Sequence, residues 1–175
     1  DGGAYASESP FVTMKALIHA AGPYRVPHVR VECTTVYTNK TYCGAFRGFG
    51  VPQVTFASES QMDELAAALG LDPLELRRRN ALHAGEPTAT GQVFAQSVGI
   101  GQTIERVAER AGLRPKEGKD GGAEAGRYLY GRGVACLLQG ISNGAEGIDV
   151  VGASVQVAQD GSALVGVGLT DMGQG

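Results

Sequence analysis

Two hydrophobic periods divide the chain, and the switch between them limits the possible folds more than any other feature. Up to about residue 112, apolar side chains recur at helical spacing: Met62, Leu65, Ala66 and Leu69, then Ile104, Val107, Ala108 and Ala111. Beyond residue 128 the pattern is that of strands, with 153–158 and 162–170 the clearest pair. Between the two, residues 115–122 are charged, glycine-rich and aperiodic, as a linker or exposed loop would be. Helices and strands without regular βαβ alternation define an α+β chain, helix-rich first and strand-rich last. The expected organisation is part of one domain over 1–114, a linker or exposed loop over 115–128, and the start of a second, strand-rich domain over 129–175. No internal repeat is visible.

Local signals place the elements. Residues 10–21 read as a short helix that breaks at Gly22-Pro23, and 29–37, rich in Val and Thr, as a strand. A polar, glycine-loaded loop over 38–50 leads to Pro52, which suits the first turn of a new helix because its missing N–H costs nothing there. Gly70 is a natural stop. Asp72 then caps a second helix, with Pro73 in its first turn and Glu75 able to reach back. That helix runs to about Asn80, and Arg77, Arg78 and Arg79 read as helix-end charge and salt bridging, not as a nucleic-acid contact. Gly112 closes a third amphipathic run. Residues 130–141 form a strand candidate, and Asp160-Gly161 marks a hairpin turn.

Composition excludes several functions. The chain has 175 residues, 43% hydrophobic and 19% charged, which suits a globular domain with a core. A net charge of -3, no tryptophan and 6% aromatic residues give little for gripping or stacking on nucleic acid. No apolar run approaches a membrane span. The absence of a signal peptide is weak evidence, since the first residue is Asp1; the chain also stops just after an apolar run, so both ends read as cut from something longer. Cys33, Cys43 and Cys136 include no CxxC pair, which argues against a disulfide framework, a structural zinc or an iron–sulfur cluster built from this chain. They read as reduced cysteines of a cytoplasmic protein. His19, His28 and His83 lack metal-ligand spacing, Cys43 has no histidine partner nearby, and Asn39-Lys40-Thr41 is a chance glycosylation pattern.

Residues 44–53, GAFRGFGVPQ, carry the chemistry. A glycine-flanked loop that feeds a helix start presents backbone N–H groups and partial positive charge, and glycine lets a bulky anionic or metal-oxo group come close. On composition alone, a glycine-rich turn with Phe46 and Phe49 packed inside is the commoner outcome.

The segment resembles the molybdenum hydroxylases, the family of xanthine dehydrogenase and aldehyde oxidoreductase, in their molybdopterin-binding large subunit. The surroundings match in order: Gly22-Pro23-Tyr24, Thr38-Asn39, Met62-Asp63-Glu64-Leu65-Ala66, Asp72-Pro73-Leu74-Glu75-Leu76-Arg77, Arg79-Asn80 and Thr170-Asp171-Met172-Gly173-Gln174-Gly175. The likeness weakens between about 83 and 130. It implies the mixed helices and antiparallel strands of such a subunit. It further implies that Phe46, Arg47, Gly173 and Gln174 bind the cofactor, Arg47 meeting the molybdenum through its main chain. Phe49 would face the substrate. Lys15, ahead of Ala16-Leu17, and Asn143, after Ser142, would stand where purine-oxidising relatives place an arginine and a second aromatic wall. Lysine lacks the planar fork of arginine and Asn143 cannot stack, which shifts the expected substrate to an aldehyde or a small N-heterocycle.

The activity implied is hydroxylation of an electrophilic carbon with oxygen from water, using molybdenum and molybdopterin, with the cytosine dinucleotide form as an alternative. Electrons would leave through 2Fe-2S clusters and FAD on other domains or subunits. The family's glutamate base falls beyond residue 175 and an earlier glycine-rich loop before Asp1, so the isolated chain is expected to be inactive. Rival readings are the carbon monoxide dehydrogenase branch, disfavoured because the loop has no cysteine, a non-catalytic scaffold that keeps the fold, and an unrelated small-molecule module.

Overall fold

The computed structural model describes residues 1–113, 124–125, 128–129, 131–140 and 150–173. Four helices come first: α1 (Ser9–Ile18), α2 (Val51–Leu69), α3 (Pro73–Asn80) and α4 (Ile100–Ala111). Two antiparallel pairs follow, β1 (Glu124–Ala125) with β2 (Tyr128–Leu129) and β3 (Ala153–Val157) with β4 (Ala163–Val167). The chain is α+β, helix-rich in its first part, with strands at its end.

The helix ends follow their local chemistry. Gly70 and Gly112 adopt the left-handed conformation that ends α2 and α4, and their N–H groups return to carbonyls of the last turn. Asp72 Oδ1 accepts the N–H of Leu74 at 2.9 Å and of Glu75 at 3.1 Å, capping α3. The α1 helix ends at Ile18, three residues earlier than the sequence suggests. His19 Nδ1 lies 2.8 Å from Lys15 O, and the chain turns through the left-handed Gly22.

Two expected strands are not found among the described residues. Residues 29–37 have no ladder partner; they meet residues 2–4 at a single parallel bridge, Gly3 to Tyr37. A strand needs a continuous row of partners for its N–H and C=O groups, and β-rich composition cannot supply one. Residues 131–140 are likewise outside any ladder. The Cys136 N–H donates instead to the Glu59 carboxylate at 2.9 Å, so this segment docks on helices. Most of the linker expected at 115–128 lies outside the described residues; β1 falls within its last part, and β2 begins at its last residue.

The chain divides into two compact units, Asp1–Leu138 and Gln139–Gly175. The core of the first unit gathers Tyr24, Leu74, Ala81, Ile104, Ala108 and Cys136, with Met62, Ile100, Leu113 and Val134 packed against it. Arg132 Nη1 donates to the carbonyls of Ala111 and Gly112 at 3.3 Å, placing a cation at the C-terminus of α4. In the second unit β3 and β4 pair in register, Val155 opposite Val165. Gly161, at φ +83°, makes the turn, and Asp160 Oδ1 accepts the N–H and hydroxyl of Ser162. Every residue of both strands is exposed.

Candidate functional site

The loop over residues 44–50 enters and leaves against α1. At its entry, the Ala45 N–H donates to Glu8 Oε2 at 3.0 Å. At its exit, Gly48, Phe49 and Gly50 take three successive positive φ values, +65°, +48° and +98°. The Val51 N–H closes this turn on Gly48 O at 3.0 Å. Both glycines are required by space as well as by φ. A Cβ on Gly50 would lie 2.1 Å from Val12 O and 3.0 Å from Ala16 N of α1, and one on Gly48 would lie 2.5 Å from the Pro52 ring. Phe49 has no such freedom, and a left-handed non-glycine residue costs on the order of 1–2 kcal/mol. Strain of this kind persists where surrounding structure enforces it, and it recurs at ligand sites.

The side chains of the loop face different surroundings. Phe46 is exposed, and the Arg47 guanidinium carbon sits 4.5 Å from the centre of its ring, a cation–π contact. Phe49 is half-buried and Gly50 is buried. On α1, Lys15 is buried, one residue before the Ala16 backbone that Gly50 approaches. The candidate cofactor residues Phe46 and Arg47 and the candidate substrate residues Phe49 and Lys15 are thus carried by one loop and the helix it packs on. Gly173 belongs to the second unit, at φ +96°, with its N–H donated to Asp171 Oδ1 at 2.6 Å. Asn143 and Gln174 lie outside the described residues.

Among the described residues, no group of three His, Cys, Asp or Glu side chains could ligate a metal ion. What the loop offers is main chain. Gly48 and Gly50 let the loop close against Pro52 and the α1 backbone, and the loop leads straight into the N-terminus of a 19-residue helix. Such an edge fits a bulky group that brings its own metal ligands and anionic oxygens.

The first unit also holds a buried polar network, joining α2 and α3, that sequence reasoning missed. Arg77 is fully buried; its Nε donates to Glu59 Oε2 at 2.8 Å and its Nη1 to Asp63 Oδ1 at 2.8 Å. Arg77 also donates to the carbonyls of Pro73 and Glu59 at 3.1 Å. Glu59 further accepts the Tyr24 hydroxyl at 2.5 Å and the Cys136 N–H. Burial lowers the Arg77 pKa, but its bonds to Glu59 and Asp63 outweigh that and raise it overall. Burial, then the bond to Glu59, pushes the Tyr24 hydroxyl far above its usual range, and burial raises the Cys136 thiol. The available signal was position: Arg77 lies on the face of α3 that Leu74 and Ala81 mark as apolar.

Molybdopterin cofactor-binding domains match the chain over residues 1–81 and 106–175. It is similar to the nicotinate dehydrogenase large molybdopterin subunit of Eubacterium barkeri, 52% identical over 63% of this chain and 26% of that protein. It is also similar to the xanthine dehydrogenase molybdenum-binding subunit of Escherichia coli, 35% identical over 90% of this chain and 22% of that one. Its structure resembles aldehyde oxidoreductase from Desulfovibrio desulfuricans, with a TM-score of 0.60 and 32% identity over 64% of this chain and 12% of that one. The chain belongs to the molybdenum hydroxylase family, and it spans about a quarter of the length of those two curated relatives. No helix among the described residues is long and apolar enough to cross a membrane.

Proposed function

We propose that this chain supplies one wall of the molybdopterin site in an enzyme that hydroxylates an N-heterocycle or aldehyde with oxygen from water. The observation that carries this reading is the left-handed run from Gly48 to Gly50, which opens a helix start beside an exposed Phe46–Arg47 pair within a matched molybdopterin-binding segment. When bound, the cofactor would supply the two-electron redox chemistry that hydroxylation needs. Phe46 and Arg47 would hold the cofactor, Arg47 by its main chain, and Gly173 and Gln174 are the candidates for the same task in the second unit. Phe49 would present an aromatic edge to the substrate, and Lys15 and Asn143 are the further candidates for substrate contact.

Lys15 favours substrates with negative charge or electron-rich atoms. A carboxylate-bearing N-heterocycle therefore suits the site, as the name of the 52% identical relative suggests. An aldehyde is the second reading, favoured by the likeness to aldehyde oxidoreductase. The glutamate base, iron–sulfur and flavin components come from elsewhere in a cytoplasmic assembly.

The test is molybdenum content of the whole enzyme, expressed in a host that makes the cofactor, followed by kinetics on both substrate classes. The expected results are stoichiometric molybdenum and a KM for the heterocyclic carboxylate that Lys15→Met raises about tenfold, the effect of about 1.4 kcal/mol. The KM for a neutral aldehyde should be unchanged. An enzyme without molybdenum would overturn the reading.

A further inference from the structure

We infer that Glu8 is a positioning residue that ties down the entry of the cofactor loop, so that α1 holds this loop at both ends. The inference rests on the proposed role of the loop. Glu8 occupies the N-cap position of α1, yet its side chain makes no capping bond to its own helix. Its carboxylate reaches 37 positions along the chain to the Ala45 N–H. Gly44 makes room for it, since a Cβ there would lie 3.1 Å from the same Glu8 oxygen.

The second tie is steric. Gly50 packs on Val12 O and Ala16 N, four and eight residues beyond Glu8. At 1.5 Å per helical residue these anchor points are spaced roughly 6 and 12 Å along α1. Phe46, Arg47, Gly48 and Phe49 bridge the interval. At the exit, three left-handed residues fix the path. At the entry, Cys43 N–H donates to Gly2 O, and the Glu8 carboxylate takes the next fixed amide, one residue ahead of Phe46. The same helix carries Lys15, so α1 sets the register between the loop and the buried cation. A backbone N–H that donates to a carboxylate makes one of the stronger kinds of hydrogen bond, which suits this task.

The experiment compares Glu8→Ala and Glu8→Gln in the assembled holoenzyme. Hydrogen exchange over residues 44–50 is measured in loaded and cofactor-free protein, together with kcat, KM and thermal stability. Glu8→Ala should speed exchange of the Ala45 amide at least about tenfold and lower kcat several-fold, while the melting temperature stays close to that of the parent. Glu8→Gln, whose side-chain carbonyl still accepts, should restore both. Unchanged exchange in Glu8→Ala, unchanged kcat despite faster exchange, or equal behaviour of the two variants would overturn the assignment. A parent enzyme without molybdenum would defeat the hydroxylase reading, and the exchange comparison would still decide whether Glu8 ties the loop.

Discussion

Arg77 and Arg79 stand two positions apart on α3, and their surroundings give them different weight. Arg79 pairs with Glu75 at 2.7 Å one turn back, with both side chains more than a third exposed. Such a pair contributes about 0.3–0.5 kcal/mol. Arg77 has no exposed surface and its main partner, Glu59, is buried as well. Removing one partner of a buried ion pair leaves the other uncompensated and costs about 3–5 kcal/mol. Denaturant unfolding of Arg77→Ala and Arg79→Ala should therefore differ by several kcal/mol, and equal losses would contradict the burial argument. Tyr24 adds a pH dependence. Its folded pKa is raised by burial and by Glu59, so its contribution is complete below the ordinary tyrosine value of about 10 and is lost as pH rises above it. Unfolding free energy should fall by up to about 1.4 kcal/mol per pH unit there. Tyr24→Phe should remove that part of the slope, which titrated denaturation curves would show.

Among the elements, helices were more legible than strands, and the reason is where their hydrogen bonds lie. A helix satisfies its backbone within its own residues, so cap and stop signals decide it locally. Asp72, Gly70 and Gly112 do in the structure what their types and positions suggest. Replacing Asp72 by Ala should cost about 1 kcal/mol, read from a shifted denaturation midpoint with an unchanged m-value. A strand depends on a distant partner. Residues 29–37 have the composition of a strand and find one bridge; 131–140 give the Cys136 amide to a side chain. The β3–β4 hairpin was legible because its partner is local and Asp160-Gly161 supplies the turn.

At the scale of the whole molecule, order along the chain carried the family. Motifs spread from Gly22 to Gly175 point to molybdopterin-binding subunits, and the domain matches over 1–81 and 106–175 agree. The α+β class, the stops of α2 and α4, the cap of α3, the hairpin and the segment that forms the loop were all readable from the chain, because each follows from local conformational preference or from ordered motifs. The tertiary structure alone decided that Phe49 is held in a left-handed conformation and that Gly50 must touch the α1 backbone. It also decided that Glu8 serves a loop 37 residues away and that Arg77 is a core residue. Those outcomes depend on which surfaces meet, and a contact between distant residues leaves no period or local signal in the chain that makes it.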